Sequence, residues 1–236
     1  MDTEEPPHPP NPELLNRQPK WFKPVFYGAI IASVLFAIVV FTTPLIFRSH
    51  HHFPGQREVN DARQIALALL EFDTEFGAYP NAATAAEVTK HYPSHGLDLS
   101  GCSSNALFRQ FFAIQITQSE SMFRADILGS VRPDGKIAPP GEALKKGEVG
   151  FSYISVLSSK DDPLTPIVLT PLIPGTTKFD PKPFNGKAVI LHIDNSVRTY
   201  DIAKDGHIYD AKGINLLSPK HPVWKGKAPD IRYPEL

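Results

Sequence analysis

Residues 25–47 read VFYGAIIASVLFAIVVFTTPLIF, a run without one Asp, Glu, Lys, Arg or His. As a helix it would extend about 35 Å at roughly 1.5 Å per residue, against a bilayer hydrocarbon core of about 30 Å. Inside lipid every backbone N–H and C=O needs a partner within its own segment, so such a run has to be helical. Pro44 falls in its last turn, where a missing hydrogen bond costs least. A helix buried in a protein core would carry a polar stripe, and this run has none. A cleaved signal peptide has an apolar stretch of only about 7–15 residues. The reading is therefore an uncleaved, single-pass transmembrane helix over 24–48, in contact with the lipid bilayer. Arg17, Lys20 and Lys23 precede it while Arg48 and Arg57 follow. The surplus of basic residues on the first side puts the N-terminus in the cytoplasm and the bulk of the chain across the membrane.

The flanks carry little chemistry. Residues 1–23, with Pro6, Pro7, Pro9, Pro10 and Pro12, read as a disordered tail. Residues 49–58 read as a juxtamembrane linker in which Phe53-Pro54-Gly55 breaks the helix. His50-His51-His52 has no carboxylate or cysteine at a defined spacing and reads as an interfacial segment, not a metal site. Cys102 is the single cysteine, so no intramolecular disulfide forms; it reads as a small, partly buried residue.

Beyond the linker the chain has material for one domain, expected over 59–218. Hydrophobic residues at 42% are enough for a core. Twenty-four basic against twenty-five acidic side chains supply no basic footprint, so no nucleic-acid partner is expected. Val59, Ala62, Ile65, Ala66, Leu69, Phe72 and Phe76 recur at three- and four-residue steps and line one helix face, which Leu67 and Leu70 are expected to widen. Gly77 stops that helix and Tyr79-Pro80 cannot continue it. A second helix is expected over 84–92, capped by Asn81 or Thr84, with Thr84 and Glu87 matching a capping box. A third covers 105–116 with Leu107, Phe108, Phe111 and Phe112. Residues 132–147, rich in Pro, Gly and Lys, read as a surface excursion.

From Val149 the pattern changes to strands, expected over 150–157, 167–172, 188–193, 197–202 and 207–209. AVILHI and VRTYDI, joined by Asp194-Asn195-Ser196, form the clearest hairpin. Residues 219–236 show no period and are expected to pack irregularly or hang loose. Helices first and antiparallel strands after give an α+β class: a transmembrane helix, then an amphipathic helix packed on a small antiparallel sheet.

The order of an apolar span, the helix NDARQIALALLEFDTEFG with its Gly77-Ala78-Tyr79-Pro80 corner, and the late hairpin KAVILHIDNSVRTYDI resembles the bacterial type IV pilin and type II secretion pseudopilin superfamily, major-pseudopilin-like members above all. The resemblance implies a pilin-like head and a non-catalytic structural or accessory subunit in protein transport. It places that subunit in the bacterial inner membrane with a periplasmic domain, its partners being other pilin-like subunits or secretion-system proteins. The family's peptidase site, a Gly before Phe or Met with a Glu inside the span, is missing here. This divergence makes the chain a permanently anchored relative. The family's late calcium ion points to Asp201, Asp205 and Asp210, although their spacing matches no calcium loop.

Neither a nucleophile elbow nor a zincin, Walker or Cys-x-x-Cys motif occurs, so no catalytic residues, cofactor or small-molecule substrate are expected. His192 and His207 are the residues a hydrolase reading would have to use. The alternative function is a membrane-tethered periplasmic module that binds a polymer or protein partner. Its candidates for an exposed aromatic patch are Phe151, Tyr153, Tyr200, Tyr209 and Trp224.

Overall fold

The structure, a computed structural model, describes residues 22–48, 54–137 and 143–236. Of the tail expected at 1–23, residues 1–21 lie outside them, as does the histidine run at 50–52, while Phe22 and Lys23 belong to a helix. Contacts divide the chain into two units, 1–52 and 53–236.

The first unit contains α1, Phe22–Arg48. Its described side chains, at 24, 25 and 27–40, are exposed on every side, among them Val25, Ile31, Leu35, Phe36 and Val39. The Ser33 hydroxyl donates back to the Ala29 carbonyl at 2.8 Å. Among the described residues no helix is long and apolar enough to cross a membrane.

The second unit is α+β, as expected, and opens with α2, Gln56–Phe76. Val59, Ala62, Ile65, Ala66, Leu69 and Phe72 are all buried along one stripe. Leu67 and Leu70 are not: they are 69% and 44% exposed. At about 100° per residue Leu67 falls almost opposite the middle of the buried stripe, so it cannot widen that face. The helix also starts three residues earlier than expected, because Glu58 can point inward, its carboxylate accepting the Asp126 N–H at 3.0 Å.

Gly77 ends α2 in the left-handed conformation, φ 69°, and its N–H returns to the Asp73 carbonyl at 2.8 Å. The corner that follows is bolted to the sheet. The Tyr79 N–H donates to Leu157 at 3.0 Å, and the buried Tyr153 hydroxyl donates to the Pro80 carbonyl at 2.9 Å. Asn81 then caps α3, Ala82–His91. Its reciprocal partner in the capping box is Thr84 and not, as the sequence suggested, a Thr84–Glu87 pair. Next, α4, Ser104–Ala113, brings Phe108 and Phe111 against Phe72, Phe123 and Tyr153.

Five strands form one antiparallel sheet in the order β4-β3-β2-β1-β5: β1 Ser152–Ile154, β2 Pro166–Thr170, β3 Lys187–His192, β4 Val197–Asp201 and β5 Ile231–Arg232. Two expectations are corrected. Residues 207–209 make only a bridge, Tyr209 to Asn215. The stretch expected to be irregular from 219 supplies β5, which pairs with β1 through Arg232 opposite Tyr153. It also buries Trp224, whose indole N–H donates to Leu216 at 2.7 Å.

Both sheet faces are covered. Val168, Val189, Leu191 and Ile193 join the core beneath α2, which packs on β3 and β4. Leu169, Ala188 and Ile190 join Phe179, Ile208, Leu216 and Trp224 on the other side. That double burial is why β2 and β3 read as unbroken apolar runs without alternation.

Candidate functional site

The three aspartates named for calcium are each held by their own surroundings. Asp201 is strongly exposed and pairs with Lys187 at 2.6 Å across the β3–β4 ladder. Asp205 accepts the Tyr209 hydroxyl and the His207 N–H, which pull its carboxyl down to about 2. Asp210 closes its turn by accepting the N–H groups of Ile214 and Lys212 at 2.8 and 2.9 Å, and these keep its acidity high. Among the described residues these aspartates form no group able to hold one ion.

Carboxylates do converge elsewhere. One oxygen or more from each of Glu120, Asp134 and Glu148 lie within 4.8 Å of one another. Glu120 comes from a 3-10 turn, Glu120–Phe123, while Asp134 lies near the start of the excursion expected at 132–147 and Glu148 directly after its end. The glutamates are buried, and four backbone N–H groups meet them. Glu120 accepts from Leu144 at 2.8 Å and Gly135 at 2.9 Å. Glu148 accepts from Lys145 at 2.6 Å and Asp134 at 3.1 Å. Burial pushes the Glu120 carboxyl up, opposed by the Leu144 N–H and reinforced by Glu148. Asp134 is more exposed and is held low mainly by the Lys145 ammonium, 2.8 Å away.

Chemically this is first a clasp: two buried carboxylates fold the backbone of a loop around themselves. The expected surface excursion is therefore tied to the core at both described ends, with Ala143 and Leu144 fully buried. As an all-oxygen donor set it is also the one group among the described residues of a kind that suits a hard divalent cation. Sequence reasoning missed it because its members are far apart and no motif joins Glu120 to Glu148.

The aromatic candidates separate as well. Phe151 and Tyr153 are fully buried, Trp224 nearly so, and only Tyr200 and Tyr209 reach the surface. Those two tyrosines help line a cleft of about 310 Å³ between the sheet and the C-terminal segment, with Leu164, Ile208, Leu216 and Val223 as apolar lining. His192 lies in it with both ring nitrogens engaged, Nδ1 on the Leu164 carbonyl at 2.8 Å and Nε2 on the Tyr200 hydroxyl at 2.9 Å. The carbonyl requires a proton on Nδ1, so Nε2 accepts from tyrosine. Burial lowers the His192 pKa, opposed by the hydrogen bond to the Leu164 carbonyl. His221 lines the same cleft, its Nε2 3.5 Å from Asp210. His207 is not among the residues lining it and faces Asp205 at 3.3 Å.

No family model, curated protein or solved structure matches this chain.

Cys102, read from the sequence as partly buried, is exposed. It stands just before the Ser103 cap of α4 and has no part in either the clasp or the cleft.

Proposed function

We propose that this chain is a single-pass, membrane-anchored structural or accessory subunit of a pilin-like assembly, of the type II secretion or type IV pilus kind. Its N-terminus is cytoplasmic and its head periplasmic, at the bacterial inner membrane, and it performs no catalysis. The observation that carries this reading is α1, an element whose described side chains are apolar and exposed all round. A helix that is apolar on every side is stable inside a protein core or in lipid. The uncharged run continues to Phe47, which gives the bilayer length.

The head supports the same reading. Its first helix lies on a five-stranded antiparallel sheet, in which β1 to β4 neighbour one another in chain order, and is fixed at its far end by the Gly77–Pro80 corner. That order of parts is the one the pilin-like resemblance implies. A rigid helix-on-sheet head suits a subunit whose work is to present surfaces. The engaged nitrogens of His192 leave no free base of the kind a hydrolase would need at that position.

A second reading, the membrane-tethered binding module, is favoured by one observation, the apolar cleft between His192, Tyr200 and His221. Extraction of the full chain in native bilayer discs separates the two. The subunit reading expects co-extraction in complexes of more than one chain. A monomer that binds a polymer or partner saturably, with binding lost in Tyr200→Ala, would replace it by the module reading.

A further inference from the structure

The exposed face of α2 pairs leucines with charges in an arrangement that its own head leaves unused. Leu67 and Leu70, one turn apart, are 69% and 44% exposed. Arg63 lies one turn before Leu67 on the same exposed side, and Glu71 one turn after it. The one hydrogen bond from Arg63 goes to Asn60 on its own helix, at 3.2 Å. Glu71, among the described residues, has neither a hydrogen bond nor an ion pair. Arg57 is already paired within its own head, with Asp61 at 3.3 Å and Asp126 at 3.8 Å, and Glu75 accepts the Tyr92 hydroxyl, so Arg63 and Glu71 are the charges beside these leucines without an ionic partner among the described residues.

A second helix of the same sequence, running antiparallel, offers each of these two charges an opposite one, and its dipole runs against that of the first. We propose that the solvent face of α2 is a self-association surface whose partner is a second copy of this chain. A two-fold axis between Leu67 and Leu70 sets Leu67 of each copy on Leu70 of the other, and Arg63 of each against the turn beginning at Glu71 of the other. Both dipoles then oppose, and the four leucines leave water together. This is an isologous contact, satisfied by one patch meeting itself.

One helix stripe is smaller than the roughly 1,200–2,000 Å² buried in stable soluble complexes. The pairing is therefore weak between free copies and gains from confinement to one membrane, a gain that rests on the anchoring proposed above. The pairing itself does not rest on it.

Full-length chain in a Cys102→Ser background tests this with Leu67→Cys and Leu70→Cys copies mixed and oxidised in membranes. The expected result is a disulfide-linked dimer whose yield falls at least fivefold with Arg63→Glu or with Glu71→Arg and returns when both reversals are combined. Unchanged yield in the single reversals, no recovery in the double, or cross-links formed with a different protein would overturn the proposal. Carbonate washing of the same membranes keeps the two claims apart. Charge-rescued dimers in the wash would sink the anchor and leave the pairing standing, whereas retained chain without rescued dimers would do the reverse.

Discussion

The two faces of the sheet are closed by different means. Beneath α2 the cover is a regular helix, and one buried stripe from Val59 to Phe72 meets Val189, Leu191 and the aromatic cluster around Phe108. On the opposite face the cover is an irregular chain segment that buries Phe179, Ile208, Leu216 and Trp224 with a single 3-10 turn, Pro222–Trp224, and no α-helix or long strand. A helix satisfies its backbone by itself, so its side chains are free to serve packing alone. An irregular cover has to satisfy its backbone turn by turn. Asp205 and Asp210, each accepting backbone N–H groups, do that there. The aspartates that resembled ion ligands are part of how an unpatterned segment can be buried.

The largest expected effect lies under the helix. Phe72→Ala should cost about 3–5 kcal/mol, because rigid neighbours on the helix and sheet cannot close the cavity. Chemical denaturation of the full chain in detergent measures it. A loss below about 2 kcal/mol would mean the regular side is no stiffer than the other. Ile208→Ala on the irregular side should cost less, about 2–3 kcal/mol, since a turn-built cover can settle into the gap. Equal losses at the two sites would break the comparison.

Glu120→Gln sharpens it at a third place, where a loop is clasped by buried carboxylates. The amide can accept only one of the two N–H groups that Glu120 now takes. Gly135 or Leu144 loses its partner, at about 1–3 kcal/mol. Hydrogen exchange should quicken first at those two amides, and uniform exchange across the head would deny the clasp its role.

The smallest effect is a gain. Burial raises the Asp61 carboxyl from 3.8 to about 6, opposed by Arg57 and helped by Glu58 and Asp126. The folded state thus binds this proton more tightly than the unfolded chain does. Stability from this group is present below pH 4 and is lost as pH rises through about 6. Asp61→Asn should therefore stabilise the head by about 1–2 kcal/mol at pH 8 and by almost nothing at pH 4. Thermal unfolding at both values checks it, and a gain that persists at pH 4 would put the cause elsewhere.

What the sequence made legible follows the same division. The α2 stripe, the Gly77 stop and the β3–β4 hairpin each rest on local periodicity or turn chemistry, and each appears in the structure. Leu67 was misread because it was grouped with the apolar stripe by proximity in sequence, while its angle about the helix axis turns it to water. β5 is two residues long, and a pair of residues has no period to detect. The clasp was invisible for a different reason: Glu120 and Glu148 meet only after α4, the 3-10 turn and β1 have been placed, and each alone looks like a surface glutamate. Asp201, Asp205 and Asp210 were named because the resemblance implies a calcium ion late in the chain, which is no measure of whether their oxygens point at one another.

The central claim is that an apolar helix holds this head on the far side of a membrane, and the exposed thiol of Cys102 offers the most direct measurement. Intact spheroplasts are treated with a membrane-impermeant maleimide and their membranes are then washed with carbonate. The account predicts labelling of Cys102 without permeabilisation and retention of the labelled chain in the washed membranes. Labelling only after lysis, or release of the chain into the wash, would contradict it.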